Sequence, residues 1–179
     1  MRTVDLIDVA APIEPVWQAA SDVERWPAIL PHYRFVTIED RRPDGTIIVA
    51  MSANRPFGPL NWPTWWTSEM WIDAARHQVR YRHIRGITTG MDVVWQLTSR
   101  NGGTHIELIH EWTGPAWPLI RYPAAEWVIG PVFVHGIASR TLAGVKRAAE
   151  AAARAGGPGH PTQARTTSGP GRAGTEAGR

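Results

Sequence analysis

The feature that most constrains the fold is a helical pattern near the end of the chain, preceded by many strand-like runs. Residues 132–154 carry apolar side chains at helical spacing, namely Val134, Ile137, Ala138, Leu142, Val145 and Ala149. A helix of about 23 residues extends roughly 35 Å at 1.5 Å per residue. It is long enough to cross a whole domain, which predicts that it packs along the concave side of a curved sheet.

Seven strand-like runs precede this helix. The first covers residues 3–10 and is followed by two short helices, one beginning near Pro12 and Pro15 and one capped by Ser21 and Asp22. The later runs cover residues 33–40, 45–53, 62–72, 77–85, 91–99 and 104–112. The turns "PDG" and "NGG" favour hairpins. We therefore predict an α+β fold in the order β-α-α-β6-α, with a curved, mostly antiparallel seven-stranded sheet around the long C-terminal helix.

Composition divides the chain into a folded domain, residues 1–154, and a tail, residues 155–179. The tail consists largely of Gly, Pro, Thr and Arg, and we expect it to be disordered. Its three arginines and one glutamate supply +2 of the net charge of +3, which leaves the domain near neutral. No basic face is evident, so we expect no nucleic-acid partner. The absence of cysteine excludes disulfides and thiolate nucleophiles.

The sequence predicts neither a metal site nor a cofactor. His105 and His110 are five residues apart on one predicted strand, so they face opposite sides of the sheet. No glycine-rich phosphate loop occurs. Asp5 and Asp8 interrupt the apolar start of the chain, which argues against a signal peptide, and no run approaches roughly 18–20 apolar residues. We expect a cytoplasmic protein.

Two histidines are the inward polar residues of their strands. Alternation in "HQVRYRHIR" places His83 on the side of Val79 and Tyr81, and alternation in "THIELIHEW" places His110 on the side opposite the glutamates. Neutral imidazole can donate a hydrogen bond with one nitrogen and accept a proton with the other. The alternative is that both are structural histidines satisfied within the sheet or core.

The order of elements resembles the START-like (SRPBCC, helix-grip) superfamily over residues 1–154. The stretch "AAPIEPVWQAASDVERWPAILPHYR" resembles the opening of both aromatic polyketide aromatase/cyclases and coenzyme Q-binding START-domain proteins. The stretches "WTSEMW", "TTGMDVVWQL" and "GGTHIELIHEW" resemble strands of the cyclases. In those cyclases the strand of "WTSEMW" ends its inward series with an arginine, where this chain has Met70. His110 stands where the cyclases carry a pocket glutamine.

The resemblance implies a deep apolar cavity between the sheet and the long helix. The side chains that it places around a ligand are Trp26, Tyr33, Trp66, Met70, Tyr81, Met91 and Trp95. The candidates for proton transfer are His83, His110 and Ser68, with Tyr33 as a further candidate.

Two functions follow from this interpretation. A cofactor-independent cyclase would hold a poly-β-ketone for aldol cyclisation and dehydration, and the cyclase-like strands favour it. A carrier would bind a quinone, lipid or similar apolar molecule without chemistry, and Met70 in place of the arginine favours that function.

Tryptophans also mark the opposite face of the sheet. Trp65 and Trp71 alternate away from the cavity, and residues 112–131 add Trp117, Tyr122 and Trp127. A large contiguous apolar surface is uncommon on a monomer. We predict that this surface contacts a second subunit or a membrane, and the alternative is that loops of the same chain cover it.

Overall fold

Seven antiparallel strands form one curved sheet in the computed structural model, which describes residues 1–57, 60–114 and 135–156. The strands are β1 (Arg2–Val9), β2 (Tyr33–Arg41), β3 (Ile47–Phe57), β4 (Leu60–Asp73), β5 (Gln78–Gly86), β6 (Asp92–Arg100) and β7 (Gly103–Glu111). Their order in the sheet is β1-β7-β6-β5-β4-β3-β2. Strands β2 to β7 are therefore a meander, and β1 pairs with β7. The predicted helix-grip topology is confirmed.

The turns form where the sequence predicts them. Between β6 and β7, Asn101 and Gly102 have φ angles of 52° and 78°. Gly and Asn tolerate this left-handed backbone better than other residues. Between β2 and β3, the amide of Arg42 donates to the carbonyl of Thr46 at 2.8 Å and closes the hairpin at "PDG". Local turn chemistry thus sets the register of the meander.

The helices cover one side of this sheet. They are α1 (Ile13–Ser21), a single 3-10 turn (Val23–Arg25), α2 (Trp26–Ile29) and α3 (His135–Ala155). Helix α3 packs against α1 and β1. Residues 132–134 of the predicted long helix lie outside the described residues.

The predicted caps are wrong in detail. Ser21 ends α1, and its hydroxyl donates to the carbonyl of Trp17 at 2.8 Å. Asp22, before the 3-10 turn, makes no side-chain cap hydrogen bond.

The core lies between the inner face of the sheet and the helices. On α3 the buried apolar residues are Ala138, Leu142, Val145 and Ala149, four of the six predicted from the helical spacing. Ile137 is partly buried, and Val134 lies outside the described residues. On the central strands, burial alternates as predicted, with Val93, Trp95 and Leu97 of β6 buried and the residues between them partly exposed. The hydrophobic effect therefore fixes which face of each strand meets the helix.

The outer face of the sheet leaves large apolar side chains in solvent. Trp65 is 57% exposed and Trp71 is 36% exposed, although the indole of Trp71 donates to the hydroxyl of Thr46 at 3.0 Å. Among the described residues, no loop of the same chain covers Trp65. Contact of this face with a second subunit or a membrane stays a prediction. Trp117, Tyr122, Trp127 and the tail beyond residue 156 lie outside the described residues.

Two further expectations concern membranes and metals. No helix among the described residues is long and apolar enough to cross a membrane. Within the same residues, no three His, Cys, Asp or Glu side chains are grouped so that they could hold a metal ion.

Candidate functional site

An apolar cavity lies between the inner face of the sheet and α3. The described residues that line it are Trp26, Tyr33, Met51, Trp66, Tyr81, His83, Thr88, Met91, Val93, Trp95, Leu108, His110, Ile137, Ala138 and Thr141. Its free volume is about 80 Å³, and the whole cleft, including space open to solvent, measures about 610 Å³. Pockets for drug-sized ligands commonly hold about 300–1,000 Å³. The cavity is thus smaller than the resemblance implied, and a folded polyketide chain would require its walls to separate.

Aromatic rings form one continuous wall of this cavity. Trp26 packs against Tyr33 with ring centroids 5.1 Å apart and against Trp95 at 5.7 Å. Tyr33 contacts Trp66 edge to face at 6.1 Å, and Trp66 stacks on the His83 imidazole at 5.9 Å. Such pairs hold rings in defined orientations. The wall therefore offers flat surfaces suited to a planar or ring-forming ligand.

A local irregularity between β4 and β5 helps to place Trp66. The register shifts between Thr67 and Ser68, so that Trp66 pairs with Gly86. Gly86 has φ of 100°, and a Cβ there would lie 2.5 Å from the backbone oxygen of Trp65. Only glycine fits so close to β4 with this backbone. The glycine at the end of β5 therefore permits the approach that sets the Trp66 ring beside His83.

His83 lines the cavity and is held by the turn that follows it. Its Nδ1 shares a hydrogen bond of 2.6 Å with the hydroxyl of Thr88. Burial, with the nearby His110 as a second and smaller cause, lowers the pKa of His83 to about 3. The imidazole is therefore neutral at physiological pH. The bond to Thr88 orients the ring and leaves Nε2 as the nitrogen available for proton transfer.

His110 and Tyr81 flank Val93 on the inner face. Both residues register with Val93, from β7 and β5 respectively, so their backbones lie about 10 Å apart, or two strand spacings. The Nδ1 of His110 and the hydroxyl of Tyr81 are buried with no hydrogen-bond partner among the described residues. An unpaired buried polar group costs about 1–3 kcal/mol. Ligand oxygens or water between the two groups would remove that cost.

Burial sets the protonation of this pair. It lowers the pKa of His110 to about 4, and it raises the pKa of Tyr81 well above its usual value, with Tyr33 as a lesser cause. Burial also raises the pKa of Tyr33, an effect that a hydrogen bond to Thr141 opposes. At neutral pH the cavity therefore presents uncharged imidazoles, which can accept protons, and protonated phenols, which can donate hydrogen bonds.

Two predicted site residues lie on the correct face but do not line the cavity. Met70 pairs with Tyr81 and is fully buried, and Ser68 pairs with His83 and is also fully buried. The hydroxyl of Ser68 has no hydrogen-bond partner among the described residues. Both side chains belong to the packed layer around the cavity, so direct ligand contact by Met70 and proton transfer by Ser68 would require a rearrangement.

Several lining residues were missed by sequence reasoning. Thr88 lies in the turn "GITTG", where nothing in the alternation of the strands indicates an inward hydroxyl. Thr141 lines the cavity from α3, and its hydroxyl donates to the carbonyl of Ile137 at 2.9 Å. The sequence offered one indication for Thr141, because it is a polar residue within the apolar stripe of the helix.

An antiparallel sheet that grips one long helix over an apolar cavity defines a START-like, helix-grip domain, and comparisons with known proteins agree. The solved structure of the Zhui aromatase/cyclase from Streptomyces sp. R1128 matches with a TM-score of 0.62 and 21% identity, covering 86% of this chain and 93% of that one. A START superfamily protein from Mycobacterium smegmatis matches with a TM-score of 0.59 and 18% identity, covering 86% and 97%. At these identities the likeness shows the fold.

Sequence comparison places the chain in a family. The model of the family described as "Polyketide cyclase / dehydrase and lipid transport" matches residues 9–132, more than half of the chain. A protein of Streptomyces cyaneus named "Putative polyketide cyclase" is 28% identical over 106 residues, which are 59% of this chain and 68% of that protein. The chain therefore belongs to the polyketide cyclase/dehydrase and lipid transport family.

Proposed function

We propose that this protein is a cofactor-independent cyclase/dehydratase that closes a ring in a poly-β-ketone. The observation that carries the proposal is the placement of neutral His83 and His110 in a largely apolar cavity with the Tyr81 hydroxyl, which has no hydrogen-bond partner among the described residues. Family membership supports the same chemistry. The free volume of about 80 Å³ favours a binding mode in which the forming ring alone enters the cavity.

The reaction can be written on these groups. With the ring proton on Nδ1 and donated to the Thr88 oxygen, Nε2 of His83 takes a proton from a carbon between two carbonyls. The resulting enolate carbon bonds to a carbonyl carbon further along the chain. The Tyr81 hydroxyl donates a hydrogen bond to the oxygen that becomes an alkoxide, and the proton held on His83 neutralises that oxygen. In the dehydration step, an imidazole takes a second proton from the new ring and passes it to the hydroxyl group. The hydroxyl then leaves as water.

The low pKa of His83 is compatible with this role. The value of about 3 reflects burial of the ring and the neighbouring His110. An enolate forming next to the ring favours the imidazolium and raises its pKa, since opposite charges stabilise each other in a buried site. Proton transfer to His83 therefore costs less free energy where the negative charge develops.

The proposal predicts a separation between binding and turnover. His83→Gln and His110→Gln keep the size and polarity of the wall but remove the proton acceptor, so turnover should fall roughly 10²–10⁴-fold while substrate affinity changes little. Cyclised product from a poly-β-ketone thioester is measured by absorbance and mass spectrometry. His105→Gln, whose ring contacts Asp8 at 2.7 Å outside the cavity, is the matched control and should retain activity. Full turnover in the double variant His83→Gln/His110→Gln would refute the acid–base assignment.

A second function, a carrier for an apolar molecule, is favoured by one observation. Among the described residues that line the cavity there is no lysine or arginine, and Met70 occupies the position where the cyclases have an arginine. Such a wall suits a neutral ring or quinone that needs no fixed cation. Tight binding of a quinone by a protein that shows no turnover on any poly-β-ketone would select the carrier.

A further inference from the structure

A second, basic pocket lies beside α3, behind the wall of the apolar cavity. It is lined by Pro31, His32, Asn54, Arg140, Ala143 and Arg147, with a volume of about 370 Å³. Arg140 and Arg147 are two helical turns apart on α3, about 10 Å along its axis. Both are exposed, and neither has an ion pair within the part of the chain that the structure describes. Two like charges thus line one pocket, and no described carboxylate pairs with either of them.

The arginines act electrostatically on His32. Burial lowers the pKa of His32 to about 4, and the charges of Arg140 and Arg147 are the next causes. The imidazole therefore stays neutral at physiological pH in a positive potential. Asn54 adds an uncharged amide that can donate hydrogen bonds.

The His32 ring has one nitrogen left for the pocket. The Thr141 hydroxyl donates to the carbonyl of Ile137, so its oxygen accepts from Nε2–H of His32 at 3.0 Å. In the neutral ring Nδ1 is then unprotonated. A bound anion would favour a proton on Nδ1 and would therefore raise the pKa of His32.

We propose that this pocket binds an oxyanion, a phosphate or carboxylate group, between Arg140, Arg147 and the amide of Asn54. Arginine donors match the geometry of carboxylate and phosphate oxygens. Thr141 lines the apolar cavity and also bonds His32 of the basic pocket, so the two pockets share a wall. The anion comes either from the charged end of the ligand that occupies the cavity, in which case this source rests on the proposed function, or from a separate phosphate.

The test is a pH titration of the His32 imidazole by NMR in the full chain, with and without inorganic phosphate at low ionic strength. Saturating phosphate should raise the pKa of His32 by roughly one unit. The rise should disappear in Arg140→Gln/Arg147→Gln, whose exposed positions make unfolding unexpected. It should persist in Arg80→Gln, an exposed arginine on the outer face of β5. A His32 pKa that ignores phosphate, or that responds equally in the double variant, overturns the proposal.

A second arm identifies the source of the anion. Hexyl phosphate should bind at least tenfold more tightly than inorganic phosphate if one ligand spans both pockets, and Trp95→Ala should remove that gain. Equal affinities assign the site to a separate phosphate. Both results support an oxyanion site, and neither requires turnover, so the site can fail while the cyclase proposal stands.

Discussion

Burial decides what the individual side chains of the cavity can do. His83 and His110 are kept neutral because an imidazolium would lose its hydration in an apolar space. The same effect keeps the phenol of Tyr81 protonated. A cavity whose described lining contains no lysine or arginine can therefore still offer a proton acceptor and a hydrogen-bond donor at neutral pH.

These shifts predict that the folded state weakens in acid. The pKa values of His83 and His110 fall from 6.5 to about 3 and about 4 on folding, so between those values and pH 6.5 the unfolded chain binds more protons. The free energy of unfolding should therefore decrease as pH falls from 7 to 4, by up to about 1.4 kcal/mol per pH unit for each histidine. Urea denaturation at several pH values measures how the free energy of unfolding depends on pH. A double variant His83→Gln/His110→Gln with the same slope as the parent would contradict the assignment.

Thr88 is expected to act as a positioning residue for His83. Thr88→Val keeps the shape of the side chain but removes the hydroxyl that bonds Nδ1. The loss should change the tautomer populations of His83, visible in its imidazole ¹⁵N shifts, and should lower kcat more than it raises KM. Thr88→Ser, which retains the hydroxyl, should restore both properties. Unchanged ¹⁵N shifts in Thr88→Val would show that the bond does not fix the ring.

Alternation in the sequence predicted much of this site. It placed His83, His110 and Trp66 on the inner face because side chains of a strand alternate strictly. The same rule could not separate Ser68 and Met70 from the lining, because it gives the face of a residue but not whether helix packing leaves free space beside it. Thr88 was missed because turns have no period from which orientation can be read.

At the scale of elements, α3 packs closely against the end of α2. Gly144 is buried on α3, and a Cβ at this position would lie 2.1 Å from Cδ2 of Leu30. Leu30, directly after α2, is itself fully buried and has little room to move. Glycine lowers intrinsic helix stability, so its presence here indicates that the approach of the two elements outweighs helix propensity.

Gly144→Ala should consequently destabilise the protein. Overpacking costs about 1–3 kcal/mol and the gain in helix propensity returns about 1 kcal/mol, so we expect a net loss of about 1 kcal/mol. The control is Gly136→Ala in the first turn of α3, where no described atom lies within 4 Å of the added Cβ. Gly136→Ala should be neutral or slightly stabilising. Chemical denaturation of both variants measures the difference, and equal stability of the two would show that Leu30 moves aside freely.

At the scale of the whole molecule, the curved sheet separates two apolar surfaces. The inner surface meets the helices and encloses the cavity, and the outer surface leaves Trp65 in solvent. The tryptophans of β4 thus lie in two environments. Trp66 lines the cavity, and Trp65 lies on the outer face and is exposed to solvent. The fold could be predicted from the order and length of the elements. The volume of the cavity could not, because it depends on how closely α3 approaches the sheet.

The most direct test of the central claim is whether a ring that carries oxygens binds between His110 and Tyr81. Resorcinol is titrated into the full chain while the histidine ¹⁵N and tryptophan indole signals are followed by NMR. We predict saturable binding that shifts the Nδ1 signal of His110 and the indoles of Trp66 and Trp95, with at least tenfold weaker binding in Trp95→Ala. Saturable binding that leaves the signals of His110 and Trp95 unchanged, or an affinity that Trp95→Ala does not alter, would contradict the account.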